Sequence, residues 1–196
     1  MLRVPSIRIA LAAIAAFFGG ALLTAAPARA TVMVPLSVER SAGRADAIVI
    51  ARVERVGYRA QMTKSGLEPR TVAVLRVERT LHGQVKGRIA VISLGGRLGD
   101  RHVYVSGAAR FRVGDRVLVM LERRGTSFRV VGMSQGVWTL RSDRRGQTVA
   151  ERDRRRVSLL RQGQIVAGRR TTTALPTLIT RIQGALRARR LPGGAR

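Results

Sequence analysis

From Ala47 onward the chain alternates apolar and polar positions with the period of two that marks half-buried strands. AIVIARVERVGY puts Val49, Ala51 and Val53 on one face. Ile48 and Ile50 fall on the other, so the first half of this strand is expected to be buried on both sides. TVAVLRVERTL sets Ala73, Leu75 and Val77 against Arg76 and Glu78. RIAVISL, a brief HVYV, RVLVMLERR, FRVVG and VWTL follow in turn. Gly95-Gly96, Gly99-Asp100 and Gly114-Asp115 separate them, and Arg124-Gly125-Thr126 reads as a hairpin turn. Residues 59–70, with Ser65-Gly66 and Pro69, read as a loop by composition. Closely spaced strands without alternating helices exclude a Rossmann-like sheet and predict a small antiparallel barrel or sandwich.

Helical patterning is confined to the two ends of this block. LSVERSAGRAD, after Pro35, supports one short helix that ends near Gly43. ALPTLITRIQGALRARR spaces Leu175, Leu178, Ile179, Ile182 and Leu186 along one stripe, predicting an amphipathic helix over residues 173–191 with Thr173 as its N-cap. The stripe fits either docking on the β-domain or, with its arginines, a membrane surface. Between them, residues 142–172 are polar and charged and are expected to be a basic linker.

Residues 1–30 read as a cleavable secretory signal. Arg3 and Arg8 precede an apolar run over residues 9–23, and Pro27 and Ala28-Arg29-Ala30 supply a small-residue exit. The run is shorter than the roughly 20 residues that span a bilayer. The expected layout is a signal over 1–30, a β-domain over 31–141, the linker and the terminal helix, in a protein exported to the periplasm or beyond the cell.

Charge narrows the partners. The chain has 37 basic and 11 acidic residues and a formal charge of +26. Such a surplus repels itself and is tolerated best beside a polyanion. For an exported chain the polyanions at hand are lipid headgroups, lipopolysaccharide and acidic polysaccharide, and export disfavours nucleic acid. Arg154, Arg155, Arg156, Arg169, Arg170, Arg187, Arg189 and Arg190 crowd the C-terminal third and are the candidate contacts. The chain has no cysteine, which excludes disulfides, Cys-based zinc sites and lipid attachment through a cysteine.

Candidate catalytic groups are few. His102 lies beside Asp100 and Tyr104, but the turn Gly99-Asp100 explains the Asp without chemistry. Ser134 in GMSQG matches the Gly-x-Ser-x-Gly pattern, yet no His follows it and no helix is expected there. His82 is expected at a solvated turn. No enzyme activity, metal or cofactor is expected. Gly132, Gln135, Gly136 and Trp138 are expected to close the β-domain, with Trp138 in its core.

ADAIVIARV, RVERTLHG, VISLGG, FRVGDRVLVMLERRG and VVGMSQGVW, in that order over residues 45–138, resemble a widespread uncharacterised exported bacterial β-domain. His82-Gly83 stands where that family has Lys-Gly. The Ala45-Asp46 strand and the later Gly step are also similar to the netrin-like domain of tissue inhibitors of metalloproteinases. That likeness implies a five-stranded OB-type barrel. It does not imply their mechanism, which needs an N-terminal cysteine. The reading that follows is a non-enzymatic exported domain that contacts a protein partner or an anionic envelope surface. The alternative is an accessory or inhibitory module for a secreted hydrolase.

Overall fold

The computed structural model describes residues 32–155 and 157–190. The expected signal over residues 1–30 therefore lies outside the described residues. Among the described residues the fold is mainly β, with two helices. Its spine is a pair of antiparallel strands, β2 (Ala47–Thr63) and β7 (Arg116–Arg124). Residues 47–51 of β2 and 117–121 of β7 are buried on both faces. β-Branched side chains pack well on such doubly covered strands.

One face of this pair looks into a cluster that holds Val49, Ala51, Val53, Leu75, Val91, Val119, Leu121, Phe128 and Val130. The strands around it are β3 (Gly66–His82), β4 (Arg88–Leu94) and β8 (Ser127–Val130). Their pairings run in a ring: β2 with β3, β3 with β4, β4 with β8, β8 with β7, and β7 with β2. All are antiparallel except β4 with β8, which meet in parallel at Val91 and Phe128.

The other face is covered by helices α1 (Val38–Arg44) and α2 (Leu175–Arg190). Ile48, Ile50, Leu118, Met120, Trp138 and Leu140 pack there against Val38, Ala42, Leu175, Leu178, Ile182 and Leu186. The apolar stripe of α2 is thus docked on the sheet. Ser37 caps α1, its Oγ accepting from the Arg40 N–H at 3.0 Å. Pro176 sits in the first turn of α2, where the missing N–H costs nothing. The helix begins two residues later than its sequence suggests. Thr173 pairs with Ala150 in a strand instead of capping the helix.

The sheet forks at β7. Residues 121–124 pair with β8, while residues 116–119 pair with β9 (Val137–Ser142). The fork turns on Met120, whose N–H donates to the Gly136 carbonyl and whose carbonyl accepts from the Val131 N–H. A β-carbon on Gly136 would lie 2.9 Å from the Val131 oxygen and 3.0 Å from that of Met120. Only glycine fits this crossing, as the sequence pattern around Trp138 suggests.

Two stretches read as unstructured are ordered. Residues 59–63 and 66–70 extend the β2–β3 hairpin, closed by a turn in which Thr63 Oγ1 accepts from the Ser65 N–H and donates to the Gly66 carbonyl. The expected linker over residues 142–172 contains β10 (Thr148–Asp153), β11 (Ser158–Arg161) and β12 (Gln164–Ala167), and leads into β13 (Arg170–Ala174). β10 and β13 continue the sheet beyond β9. In β10 and β13 the charged side chains pair across neighbouring strands, while β11 and β12 pack Leu159 and Val166 with Val157 and Met33. β11 lies between β12 and the short β1 (Val32–Met33), which joins it in parallel.

Leu178 is fully buried where α2 meets the sheet. Leu178→Ala is expected to cost about 2–5 kcal/mol of unfolding free energy, measurable by urea titration.

Candidate functional site

The face of β9, β10 and β13 that points away from the helices carries a ladder of opposite charges. Arg141 lies 4.0 Å from Asp115 and 3.7 Å from Glu151. Arg170 lies 4.0 Å from Glu151 and 3.9 Å from Asp153. Arg155 closes on Asp153 at 2.7 Å. Strand register makes this ladder, since Asp153 stands opposite Arg170 and Glu151 stands opposite Thr139 and Thr172. The Asp153 carboxyl is held down to about 2, first by its hydrogen bond from Arg155.

This face forms one wall of an open groove of about 740 Å³. The opposite wall is the segment after β6 (Arg101–Val103), which pairs in a small hairpin with β5 (Gly96–Leu98). Tyr104 stands half-exposed there, with the Arg110 guanidinium 4.4 Å above its ring. Tyr58, 54% exposed, approaches from the β2 hairpin. Arg154 also lines the groove, yet it is only 7% exposed. Its Nε has no hydrogen-bond partner in the protein, and it has no carboxylate partner. Burial lowers its basicity, and Arg161 adds to the effect.

A second arginine is buried on the helix side of β10. The Arg152 guanidinium lies 4.2 Å from the centroid of Trp138 and donates to the Gln135 carbonyl at 3.0 Å. Burial, with Arg154 and Arg181 nearby, pushes it down to about 10. The Gln135 side chain turns the other way, accepting from the Leu36 N–H and donating to the Val34 carbonyl. Trp138, Arg152 and Gln135 thus fasten the start of the described chain to the sheet. Trp138 is in the core, as expected.

The candidate arginines do not form one patch. Arg155 and Arg170 are paired with acids, and Arg154 is recessed in the groove. Arg169 is exposed between β12 and β13, and Arg187 and Arg189 are exposed on α2 without acid partners. Arg156 and the Arg190 side chain lie outside the described residues. Arg110, Tyr58 and Tyr104 are groove residues that composition alone does not single out. Arg152 sits in a segment expected to be surface and is instead buried against Trp138.

His102 and Ser134 both line the groove, and Asp100 lies outside it. No hydrogen bond joins the His102 and Ser134 side chains. The chain after Ser134 runs into β9, not into a helix. His82 ends β3 opposite Ile48 and is half-buried, not solvated, because the hairpin extends to it. Among the described residues, no three His, Cys, Asp or Glu side chains gather to hold a metal ion. A second hollow of about 640 Å³ lies by β8 and is lined by Arg44, Arg59, Arg70, Arg124 and Arg129, with Glu122. Compared with models of known families and with curated proteins, the chain matches none.

The Arg152 site predicts a split between size and charge. Arg152→Ala, which leaves space over Trp138, is expected to destabilise by about 2–4 kcal/mol. Arg152→Met, which keeps the volume and removes a buried charge, should cost less than half of that in urea unfolding. Equal losses would show that the guanidinium, not its bulk, holds the site. Asp153 has a depressed folded-state pKa, so its contribution is present above its ordinary value of 3.8 and fades as pH falls toward 2. The carboxylate is largely exposed, so Asp153→Asn should cost under about 1 kcal/mol at pH 6. The difference from wild type should vanish at pH 2, as measured by thermal unfolding.

Proposed function

We propose that this chain is an exported, non-enzymatic binding domain whose arginine surface engages an anionic partner of the cell envelope. Residues 1–30 serve in this reading as the cleaved signal, and the site of action is the periplasm or the exterior. The ring of five paired strands, with β4 and β8 in parallel, is the pairing expected of an OB-like barrel. In such barrels the sheet face and its loops carry the binding surface while the closed strands supply rigidity.

The observation that carries the reading is the way the acids are used. Among the described residues, every carboxylate except that of Asp100 already lies within 4.0 Å of an arginine or accepts from a backbone N–H of the same chain. Glu54 alone holds Arg76 and Arg88, and Glu78 holds Arg52 and Arg116. The rest of the positive charge therefore has no internal counterpart. Arg40, Arg55, Arg79, Arg144, Arg187 and Arg189 face solvent in that state. A surface of this sign concentrates anions around itself, and the attraction weakens as salt shortens the Debye length from about 10 Å at 0.1 M to about 3 Å at 1 M.

The docked stripe of α2 argues for a peripheral contact made by charge and not by insertion of that helix. The test is co-sedimentation with phosphatidylglycerol vesicles and with lipopolysaccharide at two salt concentrations. Retention is expected at 0.05 M salt and release at 1 M. Because α2 is part of the core, the informative variant is Arg187→Glu with Arg189→Glu, not a truncation, and it should weaken retention while leaving the melting temperature in place. Retention that ignores salt would overturn the proposal.

A further inference from the structure

We infer that the groove between the charged face of β9–β10–β13 and the segment after β6 is a binding site for an acidic saccharide, with Arg154 as the anchor for its carboxylate. The inference rests on the reading of the chain as an exported anion-binding domain and gives that reading a specific pocket.

Arg154 is the central observation. It is more than nine-tenths buried, lines the groove, and finds no hydrogen-bond acceptor in the protein for its Nε. Its neighbours on the same wall differ from it. Arg141, Arg155 and Arg170 are each matched by Asp115, Glu151 or Asp153. A buried charge without a partner is costly to a fold. A guanidinium offers five donors in a planar fork suited to a carboxylate, so an incoming anion would satisfy what the chain leaves open.

The rest of the lining selects among anions. The recess excludes a flat headgroup surface, whose phosphates cannot descend to a side chain so little exposed. Asp115, Glu151 and Asp153 share the groove, so a densely charged chain such as a nucleic acid would meet repulsion there. A polymer with well-spaced carboxylates and many hydroxyls avoids this, since the paired acids keep lone pairs that can accept hydroxyl protons. Tyr104 and Tyr58 offer half-exposed rings against which the apolar face of a sugar can lie, and Arg110 holds one of those rings in place. The volume of about 740 Å³ falls within the ~300–1,000 Å³ range of clefts that hold small ligands.

The experiment is calorimetric titration of the purified protein with tetragalacturonate, using neutral maltotetraose as the comparison ligand and phosphatidylglycerol vesicles as a separate arm. Wild type should bind tetragalacturonate and not maltotetraose. Arg154→Met and Arg154→Lys should each weaken binding by at least about tenfold, the loss expected for a charged hydrogen-bonded pair. Arg154→Met should melt no lower than wild type, because it removes an unpaired buried charge. Should it fail to fold, Arg154→Lys and the half-exposed Tyr104→Ala carry the test. Arg187→Glu with Arg189→Glu should reduce vesicle retention and leave saccharide affinity near that of wild type. Unchanged saccharide affinity in the Arg154 variants, or no binding by wild type while vesicles are still retained, would sink the groove proposal alone. Loss of both the saccharide and the vesicle signal would sink the broader reading with it.

Discussion

The architecture depends on a strand pair that must be dry on both sides. Ile48 and Ile50 of β2, and Leu118 and Met120 of β7, cannot be left facing water once Val49, Ala51, Val119 and Leu121 have turned inward. Each buried side chain of this size contributes on the order of 1.5–3 kcal/mol relative to exposure. The ring of strands covers one face and the two helices cover the other. Removing either cover would expose half of the spine, which is why the terminal helix belongs to the core and is not an appendage.

The same constraint decides where charge can go. With both faces of the spine covered by apolar side chains, polar residues are left to the outer face of β9–β10–β13, the hairpin beyond the ring, and the solvent side of α2. On the first of these, acids and arginines alternate across strands and neutralise one another. On the last, Arg187 and Arg189 stand alone, while Arg181 meets Glu39. Arg152 and Arg154 are consecutive in parity along the chain, two residues apart, and both are buried. Arg152 has an indole face and a backbone carbonyl to lie against, whereas Arg154 opens on a groove. Two arginines with equal exposure thus have different electrostatic standing.

Much of this was legible in residue pattern. The double burial of residues 47–51, the short helix after Pro35, the α2 stripe and the core position of Trp138 all follow from period and residue type. The β10 and β13 strands were not legible because they are held by charge pairing and by a helix docked from above, and neither leaves an apolar alternation; the chain entering β11 carries only a short one, Val157 and Leu159, into a small cluster with Met33. SDRRGQTVAERDRRR has the composition of a solvated linker, and only the register that sets Asp153 beside Arg170 shows otherwise. The hairpin at residues 59–70 was hidden for a similar reason: its side chains are mostly exposed, so its strand character lies in backbone pairing alone. The groove was still less visible. It is assembled from residues 58, 104, 110 and 154, which no local window places together.

Gln135 reaches back a hundred residues to grip the Leu36 N–H and the Val34 carbonyl, β1 needs β11 to pair, and Glu39 meets Arg181 across 142 residues. The first portion of this domain to leave the ribosome is therefore among the last to find its seat. Contacts of such long sequence separation are formed late and slowly. Until the final helix has been synthesised, the spine has only one of its two covers. The two-sided burial on which the fold depends is completed only when α2 docks.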